Sequence, residues 1–87
     1  MPRVLSIQRT EVTPGDRATF LARAKARAAH YAGAGCQWWL FEEEAPPGAF
    51  LEFTEASDAA TLRDAHAHAA EPLVDQIRVY RQVELPQ

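Results

Sequence analysis

What this 87-residue chain has little of already excludes several classes of protein. It carries one cysteine, Cys36, so no internal disulfide can form, and a reducing cytoplasmic setting is the expectation. No apolar run approaches the ~20 residues needed to span a bilayer, and the opening Met1-Pro2-Arg3-Val4 lacks the apolar stretch of a secretory signal. Positive charge is also scarce. Nine Lys and Arg stand against twelve Asp and Glu, for a formal charge of −3, and the cations are scattered. Phosphate backbones are held by clustered cations, so nucleic acid is not an expected partner, and neither is a membrane. Repeats, low-complexity tracts and linkers are absent. One domain over residues 1–87 is expected, because two would each be too short to bury a core. A domain of this size hides only roughly 60–65% of its unfolded surface, which makes self-association a reasonable expectation. At 47% hydrophobic and 24% charged, the composition is that of a globular chain.

The hydrophobic pattern then supplies elements. Residues 3–12 alternate, with Leu5 and Ile7 against Ser6, Gln8 and Thr10, which predicts a strand. Thr13-Pro14-Gly15-Asp16 is a helix start, with Thr13 as cap, Pro14 in the first turn and Asp16 at the positive end. From Asp16 to Ala32 the residues Phe20, Leu21, Ala24, Ala28, Tyr31 and Ala32 form an apolar stripe. Arg17, Arg23, Lys25 and Arg27 lie mostly off it, and Gly33 with Gly35 ends the helix. Residues 36–44 and 49–55 are aromatic-rich strands joined by Ala45-Pro46-Pro47-Gly48, a hairpin signal. Ser57 or Asp58 caps a second helix running to about Ala70, closed by Glu71-Pro72, and residues 76–85 alternate again. Strand, helix, hairpin, helix, strand is the βαββαβ order of an α+β ferredoxin-like fold. It predicts a four-stranded antiparallel sheet, in the order 4-1-3-2, with two helices on one face.

A four-residue hairpin loop at 45–48 sets Leu40 opposite Phe53 and Trp39 opposite Thr54. One face then carries Cys36, Trp38, Leu40, Leu51, Phe53, Leu5, Ile7, Ile77 and Val79, which is apolar enough to receive the helices. The other carries Ser6, Gln8, Trp39, Phe41, Phe50, Glu52, Thr54, Arg78 and Tyr80. An exposed face rich in rings marks an interface or a ligand site. A second copy covering it would enclose a pocket with polar handles on apolar walls, or simply a filled interface. A register shifted by one residue would exchange the two faces.

Few side chains suggest chemistry. His66 and His68 stand two apart on a helix and so point roughly 200° apart, which prevents them from sharing a metal. His30 suits the negative end of the first helix. No set of nitrogen and sulfur ligands implies a metal site. Glu42-Glu43-Glu44 reads as a solvated strand end. Glu52, on the ring-bearing face in this register, should seek Arg78 or another cation. Cys36 reads as a small buried hydrophobe.

The segments Gly35-Cys36-Gln37-Trp38-Trp39-Leu40-Phe41 and Ser57-Asp58-Ala59-Ala60-Thr61-Leu62-Arg63-Asp64-Ala65-His66-Ala67-His68 carry a family likeness. With the order and length of the whole chain, they resemble the dimeric α+β barrel superfamily, nearest to antibiotic-biosynthesis-monooxygenase-like domains. The resemblance implies a homodimer and, for an enzyme, cofactor-independent oxygenation of a quinol-like aromatic substrate. Trp39, Phe41 and Tyr80 would orient the substrate, Arg78 would stabilise its anion, and His66 or Glu52 would move protons. Ser6, Gln8, Phe50 and Thr54 would complete the pocket, with no cofactor. The haem-degrading branch implies His66 as an iron ligand, together with a first-strand Asn and a preceding Trp that this chain lacks. Gly48-Ala49-Phe50-Leu51-Glu52-Phe53 also resembles the third strand of an RNA-recognition motif, which would put Phe50 under a base. The alternative of another class is a non-catalytic dimerisation or protein-docking module.

Overall fold

The computed structural model describes residues 3–70 and 78–86. Its elements are β1 (Val4–Glu11), α1 (Arg17–Gly33), β2 (Gln37–Glu42), β3 (Ala49–Ala56), α2 (Ala59–Ala67) and β4 (Val79–Arg81). The strands form one sheet in the order β2-β3-β1-β4, with every neighbouring pair antiparallel. This is the ferredoxin-like α+β arrangement that the element order predicts. Among the described residues no helix is long and apolar enough to cross a membrane.

Local chemistry explains most boundaries. Thr13 does not cap α1. Pro14–Asp16 winds a short 3-10 turn ahead of it, and the Thr13 hydroxyl donates to Asp16 at 3.0 Å. Gly35, at φ +81°, lets the chain leave α1, and the Cys36 amide then donates to the Tyr31 carbonyl at 2.9 Å. Asp58, rather than Ser57, caps α2, its Oδ1 accepting the Thr61 amide at 2.7 Å. The second helix ends at Ala67, short of the expected Ala70. The last strand is three residues long, and residues 82–86 beyond it have no regular structure. The expected contributions of Glu71, Pro72, Gln76 and Ile77 fall outside the described residues.

The hairpin corrects the expected register. Trp39 stands opposite Phe53, Leu40 opposite Glu52 and Phe41 opposite Leu51, and the Glu43 amide donates to the Ala49 carbonyl at 2.8 Å. Five residues, 44–48, therefore make the turn instead of four. Gly48 shows why. At φ +109° its amide donates to Glu42 Oε2 at 3.1 Å and its carbonyl accepts the Val12 amide at 2.7 Å. The tip is thereby tied to both neighbouring strands one residue deeper than composition suggests. Because side chains alternate with period two, the extra residue turns all of β3 over.

The consequence is an inverted pair of faces. Toward the helices point Val4, Ser6, Gln8, Trp38, Leu40, Phe50, Glu52, Thr54 and Ala56, as the pairings of Ser6 with Thr54 and Gln8 with Glu52 require. The helix-side core is built from Val4, Tyr31, Cys36, Ala56, Leu62 and Ala65, and only Tyr31 and Leu62 are large and fully buried. Leu5, Ile7, Trp39, Phe41, Leu51, Phe53 and Tyr80 share the opposite face. Trp39 is 39% and Phe41 56% exposed there. At Gly48 a Cβ would meet the Val12 carbonyl oxygen at 3.1 Å in a backbone region that suits glycine. Gly48→Ala is therefore expected to destabilise the fold by more than about 1 kcal/mol in urea unfolding.

Candidate functional site

The polar groups that could do chemistry meet between the helices and the sheet. On α1, Phe20, Ala24, Arg27 and Tyr31 follow i, i+4, i+7, i+11 spacing, so an arginine and a tyrosine share the inward stripe with two apolar residues. Arg27 grips Glu52 of β3 through two parallel bonds, Nε to Oε2 at 2.9 Å and Nη2 to Oε1 at 3.0 Å. Trp38 Nε1 of β2 donates to the same Oε2 at 3.0 Å. The Arg27 and Glu52 side chains retain only 13% and 6% of their accessible surface. An unpaired carboxylate so buried would be driven to protonate, whereas bidentate pairing with an arginine keeps it charged. The Arg27 guanidinium lies 5.4 Å over the Phe20 ring, and that ring packs 4.7 Å from Phe50.

A second cluster centres on His66 of α2. Its Nε2 lies 2.8 Å from Ser6 Oγ, and its Nδ1 lies 2.8 Å from the Tyr31 hydroxyl. The Tyr31 and His66 rings meet edge to face at 5.2 Å. Tyr31 is 1% exposed, and burial, reinforced by the Glu52 charge and opposed by Arg27, pushes its phenol up to about 12. Burial holds the His66 imidazolium below the ordinary histidine range, with Glu52 opposing and His30 adding to the effect. At neutral pH both groups are thus uncharged, and the imidazole can receive or pass on a proton. His30 Nε2 donates to the Ala65 carbonyl at 2.8 Å, tying α1 to α2. His68, exposed on the outer side of α2, bonds the Asp64 carbonyl of its own helix at 2.8 Å.

The structure separates residues that the sequence reading grouped. Ser6, Gln8, Phe50, Glu52 and Thr54 lie on the helix-facing side, not on the open face, because β1 and β3 are turned over relative to expectation. His66 joins them there, packed against Ser6. Trp39, Phe41 and Tyr80 lie on the opposite side of the sheet, out of reach of His66. Arg78 is exposed just ahead of β4, and the carboxylate of Glu52 is taken by Arg27 instead. Phe50, 3% exposed beneath Phe20, has no face free to stack on a base, which removes the RNA reading. Both ring nitrogens of His66 are engaged internally, so the residues do not fit a haem ligand at that position. Among the described residues no group of three or more His, Cys, Asp or Glu is arranged to hold a metal. Burial pushes the Cys36 thiol up, away from the reactive thiolate.

Arg27, Tyr31 and Trp38 are the members that sequence reasoning did not place in the site. The signal for the first two was present, since Arg27 stands four residues before Tyr31 and seven after Phe20, on the stripe itself. Trp38 donates inward because it is paired with Thr54.

No family model matches the chain, and no curated protein matches it significantly. Solved structures do. A conserved protein from Methanosarcina mazei Go1 superposes with a TM-score of 0.74 at 15% identity, over 94% of this chain and 92% of its own. A Bordetella bronchiseptica protein assigned provisionally as an antibiotic biosynthesis monooxygenase gives 0.64 at 14% identity, over 99% and 100%. Rv0793 from Mycobacterium tuberculosis gives 0.63 at 19% identity, over 100% and 98%. At these identities the likeness establishes the fold, which agrees with the superfamily resemblance drawn from the sequence.

One outcome follows from the buried groups. Glu52→Gln leaves the Arg27 charge without its counterion and is expected to lower stability by about 3 kcal/mol in urea unfolding, while the double variant Arg27→Met/Glu52→Met recovers most of that loss.

Proposed function

We propose that this chain is a homodimeric small-molecule-binding domain. Its ligand site is the polar layer beneath the helices, and its ring-bearing sheet face is the dimer contact. The observation that carries this reading is the inversion of the two faces. Hydrogen-bonded Ser6, Glu52, His66, Arg27 and Tyr31 are enclosed between layers, while Ile7, Trp39, Phe41, Leu51 and Tyr80 are left exposed. A single copy gains little from displaying those rings to water.

A second copy suits the open face better than an unrelated partner does. Apolar residues occupy its middle. At one end Arg9 pairs with Glu11 and Glu43, and at the other Arg3 pairs with Glu55. Both signs of charge sit at both ends around an apolar centre, so a two-fold axis can bring the face against itself without opposing like charges. Placing the rings in the dimer contact moves the ligand away from the chamber between sheets and toward His66.

As an enzyme, the domain would oxygenate a quinol-like aromatic with dioxygen as oxidant. The deprotonated substrate supplies the electrons, one oxygen atom enters it, and the other leaves as water. His66 is the group that holds or moves the proton, and Ser6 and Gln8 contact the substrate oxygen. Glu52, saturated by Arg27 and Trp38, keeps the layer in place and does not act as a base. That same saturation favours a second reading, a non-catalytic module in which the polar layer only joins helices to sheet.

The tests separate these readings. Light scattering should give a dimer for wild type and a monomer for Phe41→Glu; a monomeric wild type at high concentration would remove the interface. Dihydroxy-aromatics should quench Trp38 fluorescence in a Trp39→Phe background and raise oxygen uptake above buffer, with uptake reduced by at least tenfold in His66→Gln. Quenching without uptake would leave a binding module, and neither signal would leave the non-catalytic reading.

A further inference from the structure

The hydrogen bonds around His66 have a direction that the pair of distances alone does not reveal. Among the described residues, the hydroxyls of Ser6 and Tyr31 each have His66 as their one hydrogen-bond partner. A neutral imidazole offers one N–H and one lone pair, so only one hydroxyl can donate to it while the other accepts. Two tautomers satisfy the distances, and they differ in which hydroxyl keeps an unused proton.

The two choices are unequal. A phenol, with an ordinary pKa of about 10, is a far stronger donor than an alkyl alcohol, so its bond to an imidazole lone pair is the stronger one. Tyr31 is also the more completely buried, at 1% exposed against 4% for Ser6. Stranding its proton would cost about 1–3 kcal/mol in a site with no water to take it. The serine proton turns freely about Cβ–Oγ, whereas the phenol proton is confined near the ring plane.

We propose that Tyr31 is a positioning residue that fixes His66 as the Nε2–H tautomer. The donors then run in one direction, from Tyr31 to His66 to Ser6, and end on a serine hydroxyl that is free to donate. Bonds aligned in this way strengthen one another. The inference rests on the proposed ligand site and specifies its chemistry. The oxygen received beside Ser6 is an acceptor, a phenolate or a carbonyl, and not a hydroxyl awaiting deprotonation. His66 then stabilises the substrate anion by donating through Ser6. Gln8, two residues along β1 on the same face, flanks the same position.

The test on the chain itself needs no ligand. In two-bond 1H–15N spectra of the full chain near about pH 7.5, with His66 assigned by its loss in His66→Gln, Nδ1 should be pyridine-type and Nε2 pyrrole-type. Tyr31→Phe should release the lock and populate the opposite tautomer, and Ser6→Ala should leave the wild-type pattern unchanged. A pyrrole-type Nδ1 in wild type, or a tautomer indifferent to Tyr31→Phe, overturns the proposal. Should Tyr31→Phe fail to fold, a flipped tautomer in Ser6→Ala overturns it instead. For the ligand class the probe is 4-nitrophenol near its own midpoint. Wild type should raise the phenolate absorbance and Ser6→Ala should not, and an unchanged or lowered absorbance with wild type counts against the acceptor oxygen. Because the tautomer is read without ligand, failure of binding and failure of the donor chain are distinguishable.

Discussion

The bidentate contact between Arg27 and Glu52 governs how the helical layer sits on the sheet. A carboxylate at the middle of β3, turned inward, must meet a cation or lose its charge. Arg27 is the residue of α1 that reaches it, and Trp38 fills the remaining acceptor position. Once Arg27 is held there, the rotation of α1 about its axis is set. Phe20 then falls on Phe50, and Tyr31, one turn further along, falls on His66. The hydrogen-bonded chain through His66 is therefore downstream of an ion pair that takes no part in it.

The same rotation explains the composition of the core. Most residues that bury an inward surface are small: Ala24, Ala56, Ala65 and Cys36 beside Val4 and Leu62. Small residues let the helices approach the sheet closely enough for Arg27, Tyr31 and His66 to span the gap with bonds of 2.8–3.0 Å. An interior of large aliphatics would separate the layers and break both clusters. The rings that a more usual core would absorb are on the outer face, where the edge-to-face pair of Phe41 and Phe53, 5.6 Å apart, already provides an ordered apolar surface. The inward side is specialised for polar contact and the outward side for association, so the domain is incomplete as a single copy.

A fold of this kind does not itself specify an activity, since one scaffold accommodates many sites. What distinguishes this chain is the donor arrangement around His66 and the absence of an available base among its carboxylates in the layer. Glu52 is neutralised in place and Glu42 is clamped by Arg17 at 2.6 and 2.7 Å, so neither is available for proton transfer. That leaves one neutral imidazole between two hydroxyls, which is suited to orienting and stabilising an oxygen of a bound molecule.

The element order, the two helices, the sheet topology and the membership of Cys36, Trp38 and Leu40 in the inward face could all be read from the residues in order. Each depends on local periodicity or on turn chemistry within a few positions. His66 was likewise recognisable as the inward histidine, because the 100° step of a helix sends His68 the other way. The allegiance of β1 and β3 was not readable. It depends on whether the hairpin turn holds four residues or five, and that was decided by contacts of Gly48 with Val12 and Glu42, strands apart in the sheet. Alternation tells which residues share a side but not which side faces inward. With apolar residues on both faces, burial preference could not choose between them. The partners of Glu52 and His66 likewise come from α1, 25 and 35 residues distant, and became neighbours only when the layers closed.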